Sequence, residues 1–255
     1  MINTLLHRQA VPLDSAAHRD LKAQLPVADW SVAAKLNSIF LAAVEFGDAC
    51  REFPIVFVRA GTDPDGKAQI APVAVFGLSA EENLFIEPGG GWRASYMPAV
   101  LRLYPFAIGR IDEQNFALCV DAAWSGLSQQ AGGEALFDAQ GQATEFTRQV
   151  VAQAEKTEEE VQRTRLVGER LMQLELLREM RFDVDLPDGQ KLAVEGFFTV
   201  DEEKLKALPD ATLIELARNG VLGLIQAHLI SMANMRRLAE WRVQRGLQAP
   251  VYQAS

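Results

Sequence analysis

Trp92-Arg-Ala-Ser-Tyr-Met-Pro-Ala-Val-Leu-Arg-Leu-Tyr-Pro-Phe-Ala-Ile-Gly-Arg110 reads as a short helix ended by a proline and continued by an apolar strand. Pro98 suits the first turn of a helix, where a missing N–H costs nothing, and Ser95 stands where an N-cap would. Val100, Leu101 and Tyr104 share one helical face, with Arg102 off it. Pro105 excludes the α region at Tyr104, so the helix should stop there and a strand should run over 106–111. A weaker echo lies one repeat earlier. Phe46-Gly-Asp-Ala-Cys-Arg-Glu-Phe-Pro-Ile-Val-Phe-Val-Arg-Ala60 aligns with residues 97–111, placing Arg51 on Arg102, Phe53 on Tyr104, Pro54 on Pro105 and Arg59 on Arg110. Apolar strands follow both copies, Pro72-Val-Ala-Val-Phe-Gly77 and Asn115-Phe-Ala-Leu-Cys-Val-Asp121, and each is followed by Leu-Phe, at Leu84-Phe85 and Leu136-Phe137.

A period of about fifty residues suggests a duplicated helix-strand-strand unit, about 43–87 and 95–138, within an α+β region spanning 1–142. The expected fold class is therefore α+β with antiparallel sheets. Two copies are too few for a solenoid. Around these units, 5–13 could be a strand, and 39–52 carries apolar residues at helical spacing. Asp63-Pro-Asp-Gly66 has the chemistry of a tight turn, and Glu81-Glu-Asn-Leu-Phe-Ile-Glu87 suggests a short strand.

Residues 143–246 hold the remaining elements, expected to pack on the same core. Over 143–180 the residues Phe146, Val150, Ala154, Thr157, Val161, Thr164, Gly168 and Leu171 recur at alternating spacings of four and three. That is a long amphipathic helix, or two, whose seam of small residues lets another element approach closely. Phe182-Asp-Val-Asp-Leu186 and Leu192-Ala-Val-Glu-Gly-Phe-Phe-Thr-Val200 flank Pro187-Asp-Gly189, a hairpin signal. Asp201 and Asp210 are placed to cap short helices, and Asn219-Gly220 to end one. The last helix should run over 221–242, apolar on a wide face, with 247–255 as a tail.

Composition narrows the function classes. The chain has 255 residues, 49% of them hydrophobic, and a formal charge of −9, with a mean hydropathy near zero. An acidic surface disfavours nucleic acid and anionic membrane as partners, and no apolar run reaches the length needed for membrane insertion. Cys50 and Cys119 lie far apart in apolar segments and read as buried free thiols. The N-terminus lacks a basic region followed by an apolar run, so a cytoplasmic location is expected.

Local motifs carry little chemistry. His18-Arg-Asp-Leu-Lys22 is spelled like a kinase catalytic loop, but Leu25 stands where that loop needs Asn. It reads instead as an arm whose His18 and Asp20 bond into the body. Gly89-Gly-Gly91 lacks the Lys and Ser/Thr of a phosphate loop and reads as a turn. Ala123-Trp-Ser-Gly126 lacks the first glycine of a nucleophile elbow. Three histidines without metal spacing give no metal site. Asp183 and Asp185 share one strand face, read as an outer face rather than an acidic pair.

Two constellations remain. Trp92, Tyr96, Arg102 and Tyr104 combine aromatics with an arginine, a common anchor for peptide or carboxylate recognition; the plainer reading makes the aromatics core and Arg102 an ion-pair partner. His228, Ser231 and Asn234 interrupt the last helix at spacings of three. They are either core polar groups bonded to backbone or to Arg102, or, with Arg102, the edge of a catalytic pocket. No catalytic residue, metal or cofactor is assigned.

The residues just quoted resemble the bacterial SapC family. The resemblance rests on Phe53-Pro-Ile-Val-Phe57, Ala74-Val-Phe-Gly-Leu78 with Glu82-Asn-Leu-Phe85, and Gly91-Trp-x-Ala-x-Tyr-x-Pro98 with Arg102-x-Tyr-Pro-Phe106. It also includes Gly196-Phe-x-Thr-Val-Asp-Glu-Glu-Lys-Leu205 and the segment from His228 to Asn234. It spans nearly the whole chain but implies little about function. The family is named for genes linked to a paracrystalline surface layer, and its members often neighbour genes for TonB-dependent receptors, tryptophan-halogenase-like flavoproteins and cupin-like hydroxylases. It thus implies an uptake or tailoring pathway for a peptide or small nutrient. The leading expectation is a non-catalytic accessory or binding protein for a peptide or a tailoring enzyme, halogenase-like or cupin-like. An enzyme built on His228 and a surface-layer component are the alternatives, and a homodimer stays open.

Overall fold

The computed structural model describes residues 2–62, 66–110, 116–130, 132–186 and 191–248. Residues 63–65 of the first turn, 111 and 115 of the expected strands, the 187–189 hairpin turn and the tail from 249 lie outside them. In chain order come β1 (Ala10–Pro12), β2 (Lys22–Ala23), β3 (Ser38–Phe40), a 3-10 turn (Ala43–Glu45), α1 (Phe46–Ala49), β4 (Ile55–Thr62) and β5 (Ala68–Val75). Then follow α2 (Ala99–Arg102), β6 (Phe106–Arg110), β7 (Phe116–Asp121), β8 (Leu127–Ser128), β9 (Glu134–Ala135) and α3 (Glu145–Gln173). The chain continues through β10 (Leu177–Asp185), β11 (Lys191–Val200), α4 (Glu202–Lys206), α5 (Asp210–Arg218), α6 (Val221–Ser231) and α7 (Asn234–Gln248). The described strands form antiparallel sheets of order β10-β11-β4-β5-β3, β1-β7-β6 and β8-β2-β9. The fold class is α+β.

Each fifty-residue unit contributes one helical turn, a proline and an antiparallel hairpin, but the hairpins enter different sheets. In both, the second strand is central, as β3-β5-β4 and β1-β7-β6. The helix of the first unit is shorter than its periodicity implied. Ile39 lies in β3, paired with Ala74, and helical structure starts only at Ala43. Apolar residues at 39, 41, 42 and 46 fit either element, and pairing with β5 decides between them.

The strand expected around Leu84 is also absent. There the chain turns through Glu81 at φ 55°, and the buried Asn83 side chain supplies the bonds a ladder would have made. It donates to the Ala33 carbonyl at 3.0 Å and accepts from the Phe85 N–H at 2.9 Å. His18 accepts locally from the Asp14 N–H at 3.0 Å instead of bonding into the body, and Asp20 is exposed. Around Gly89-Gly-Gly91 the turn closes on itself, Glu87 N–H donating to the Gly91 carbonyl at 2.8 Å.

Helix α3 is the longest element. Thr144 caps it, its hydroxyl oxygen accepting from the Thr147 N–H at 3.2 Å. It buries Thr147, Ala154, Thr157, Thr164, Gly168 and Leu171. At its other end Glu175 takes φ 51°, and from Leu177 the chain is strand, so the helical pattern stops short of Met180. The small seam sets the distance to β5: a Cβ on Gly168 would lie 2.5 Å from the Ile70 carbonyl oxygen. Thr164 donates to the Glu160 carbonyl at 2.6 Å and accepts from the Ala43 N–H at 2.8 Å, tying the helix to the turn before α1.

The β10–β11 hairpin meets the main sheet through the single pair Phe198↔Phe57 and bulges between Met180 and Phe182. Asp183 and Asp185 lie on its exposed face, beside Arg181 at 2.8 Å and Lys191 at 3.7 Å. Asp201 caps α4, accepting from the Glu203 and Lys204 N–H groups. The long terminal helix is instead α6 and α7, divided at Met232 and Ala233.

Because backbone oxygen, not a flexible side chain, faces Gly168, Gly168→Val should force α3 away from β5. A loss of roughly 1–3 kcal/mol, the usual range for overpacking, is expected in urea unfolding, with α3 amides exchanging faster. Stability equal to the parent would show that the contact is loose.

Candidate functional site

The first constellation divides into core and surface. Trp92 stacks on Phe85 (5.7 Å, 26°) and meets Phe76 edge-on at 5.3 Å, and its Nε1–H donates to the Tyr96 carbonyl at 2.9 Å. Tyr96 is half-buried, and its hydroxyl donates to Glu45 Oε1 at 2.7 Å. That oxygen also accepts from the Ala99 N–H at 2.7 Å, while Oε2 accepts from the Ala42 N–H at 3.0 Å. Thus α2 is capped from the first unit by buried Glu45, and not by Ser95, whose N–H donates to Glu52 Oε1 at 3.2 Å. Burial, reinforced by the Glu45 bond and charge, pushes the Tyr96 phenol well above its ordinary value. It is therefore a hydrogen-bond donor at neutral pH. Arg102 is exposed, its guanidinium 5.8 Å from the centre of the Tyr96 ring.

Tyr104 does not share that surface. It is 2% exposed, among His7, Trp30 and Trp124, with ring centroids at 5.7, 6.3 and 5.9 Å. Its hydroxyl donates to Asp121 Oδ2 at 3.0 Å, and Asp121 Oδ1 accepts from the Gln9 and Ala123 N–H groups at 2.8 and 3.3 Å. The expected surface from Trp92 to Tyr104 is thereby reduced to Arg102 and the edge of Tyr96. Glu45 and Asp121 organise the region but carry no local signal of that role, because the partners that join separate elements lie 51–54 and 17–112 residues away.

The second constellation is a backbone latch. His228 is fully buried, with Nδ1–H donating to the Ile55 carbonyl at 2.7 Å and Nε2 accepting from the Val200 N–H at 3.1 Å. Ser231 accepts from the Ile55 N–H at 2.9 Å and donates to the His228 carbonyl at 2.6 Å. Asn234 Nδ2 donates to the Cys50 and Phe53 carbonyls at 2.8 and 3.1 Å. The side chains join the start of β4 to the end of β11, where ladder pairing is sparse. No pocket edge with Arg102 is formed: both ring nitrogens of His228 are committed to backbone, and Arg102 lies against Tyr96. Burial pushes the His228 imidazole down to about 4, against the opposing effect of the Ile55 bond.

The structure adds a site that the sequence reading did not single out. A half-open cavity of about 530 Å³ lies beside α3, between β5 and the β6–β7 hairpin. Its apolar wall includes Phe40, Ile70, Pro72, Ile108 and Val161, and α3 supplies Glu158, Gln162 and Arg165. A smaller cavity of about 90 Å³ shares Ile108, Phe116 and Glu158 and extends the trough toward Val151. The small-residue seam of α3 is the one feature in the sequence that could have pointed here. Among the described residues no cluster of His, Cys, Asp or Glu could hold a metal ion. Cys119 is buried and Cys50 half-buried, both as free thiols.

Neutral His228 fits its site, whereas the unfolded imidazole protonates near 6.5. Stability is therefore full above pH 6.5 and is lost as pH falls toward 4, by roughly 3 kcal/mol for this residue. His7, lowered by burial, adds in the same direction. A His228→Gln variant should be less stable than the parent at pH 7 but lose less between pH 6.5 and 4; parallel curves in urea titrations would reject this. Glu45→Ala, which strands three donors, should cost about 2–4 kcal/mol in the same assay.

No helix of the described residues is long and apolar enough to cross a membrane. No curated protein and no solved structure matches the chain. The family model described as SapC matches residues 13–238, a span that takes in both units, α3, the hairpin and the latch. The chain belongs to the SapC family.

Proposed function

We propose that this protein is a non-catalytic accessory or binding protein that receives a peptide or a segment of a partner enzyme in the trough beside α3. The carrying observation is the trough itself, with an apolar wall on two strand systems and a polar helix at its mouth. Its volume falls in the range of ordinary ligand sites. The groups best suited to acid–base chemistry, His228 and Ser231, spend their hydrogen bonds on backbone elsewhere. Arg102, exposed beside the half-buried Tyr96 ring, is a second recognition feature, too small to anchor a ligand alone. The family resemblance suggests a tailoring enzyme of halogenase-like or cupin-like type as the partner, acting in uptake or tailoring of a peptide.

The test compares wild type, Val161→Trp, which fills the trough, and Arg102→Glu, which alters the other surface. Each protein, shown to be folded, is immobilised and exposed to soluble extract of its native host, with retained peptides and proteins identified by mass spectrometry. A species lost with Val161→Trp and kept with Arg102→Glu is expected. Retention indifferent to the trough would overturn the assignment.

A further inference from the structure

We infer that the trough takes its ligand as an added β-strand: an extended peptide of about six residues, apolar on alternate positions and carrying Lys or Arg, lies along the outer edge of β6. This rests on the binding reading above and names the chemistry of its ligand.

Strand β6 is the last in the order β1-β7-β6, so among the described residues one of its edges has no strand beside it. The register fixes which groups point there. Asp121 N–H donates to the Pro105 carbonyl at 2.9 Å, and Ile108 pairs with Leu118. In an antiparallel ladder the bonded pairs alternate, so Pro105, Ala107 and Gly109 direct their backbone groups toward β7. Phe106 and Ile108 direct theirs outward. Phe106 N–H accordingly bonds backward to the Leu103 carbonyl at 2.8 Å, while Ile108 lies in the wall of the trough. An extended chain beside Ile108 would meet its N–H and C=O in ladder geometry. An acyl chain would fill the same space but offer those groups no partner, at the cost of leaving buried polar groups dry.

The dimensions agree. Strand β6 spans the five residues Phe106–Arg110, an edge that an extended peptide of about six residues covers at about 3.3 Å per residue. On the far side the wall is β5, whose Ile70 carbonyl is already covered by Gly168, so the β6 edge is the one that fits a strand. Alternate side chains would enter between Ile70, Pro72 and Val161, and the others would face the open mouth. Glu158 lines both cavities and Glu155 the smaller one, and neither makes an ion pair among the described residues, whereas the cation at the mouth, Arg165, is already paired with Glu169 at 2.9 Å; this favours a basic ligand, as does the formal charge of −9.

A library of random linear heptapeptides displayed on phage is selected against wild type, with Val161→Trp as the counter-selection. Enriched sequences should alternate apolar residues and contain Lys or Arg. The best is then synthesised and its affinity measured by fluorescence anisotropy. N-methylation of one alternate set of its backbone amides should weaken binding at least ten-fold, and methylation of the other set less than three-fold. The Glu155→Gln, Glu158→Gln double variant should weaken it three- to ten-fold and flatten its salt dependence. Equal effects of the two methylated sets would overturn strand addition. Palmitate bound in the trough while no peptide is selected would also overturn it, yet would leave the binding reading standing. If neither peptide nor palmitate binds, and the extract experiment retains nothing, both fall together.

Discussion

The carboxylate of Glu45 is 5% exposed and holds the two halves of the α+β region to each other. Stripping water from a carboxylate costs several kcal/mol unless well-aimed donors replace it. Here the donors come from three places: the Ala42 N–H in its own turn, the Ala99 N–H at the start of α2, and the Tyr96 hydroxyl. The next N–H in the chain, that of Ala43, goes to Thr164 of α3. One tight turn thus fixes β3, α2 and the long helix at once, and the trough beside α3, whose wall includes Phe40 of β3, takes part of its shape from that junction.

A second economy runs through the core. The conspicuous polar side chains serve backbone groups where ladders are short: Asn83 for the loop after β5, Asp121 at the end of β7, and His228 with Ser231 where β4 and β11 share one residue pair. A buried backbone group without a partner is expensive. These side chains therefore do what additional strand residues would otherwise do. It also explains why residues that look catalytic in a sequence can be spent entirely on architecture.

What was legible follows from range. The hairpins, the cap at Asp201 and the small face of α3 rest on local periodicity and capping, and the structure keeps them, whereas Asp210 is the first residue of its helix and caps nothing. The polar seam at 228, 231 and 234 was visible as spacing, but its partners were not, since Ile55, Phe53 and Val200 lie far away in the chain. Tyr104 read either as a recognition anchor beside Arg102 or as core, and Asp121 with the rings around it makes it core. The extent of α1 and the path of 81–87 were misjudged where pairing with β5 and the Asn83 side chain overrode local pattern.

The face that α3 turns to the sheet holds threonines, an alanine and a glycine at most of its contact positions, and Thr157 and Thr164 bond to their own helix backbone at 2.8 and 2.6 Å. Such a contact has little side-chain freedom to freeze and few large groups to remove. Most protein cores are injured by truncation and forgive modest growth only after repacking. Along this helix the asymmetry is inverted: drift toward smaller residues has little to remove, and at Gly168 any larger one meets the Ile70 carbonyl. Substitutions that enlarge its inner face are the ones selection would have to remove.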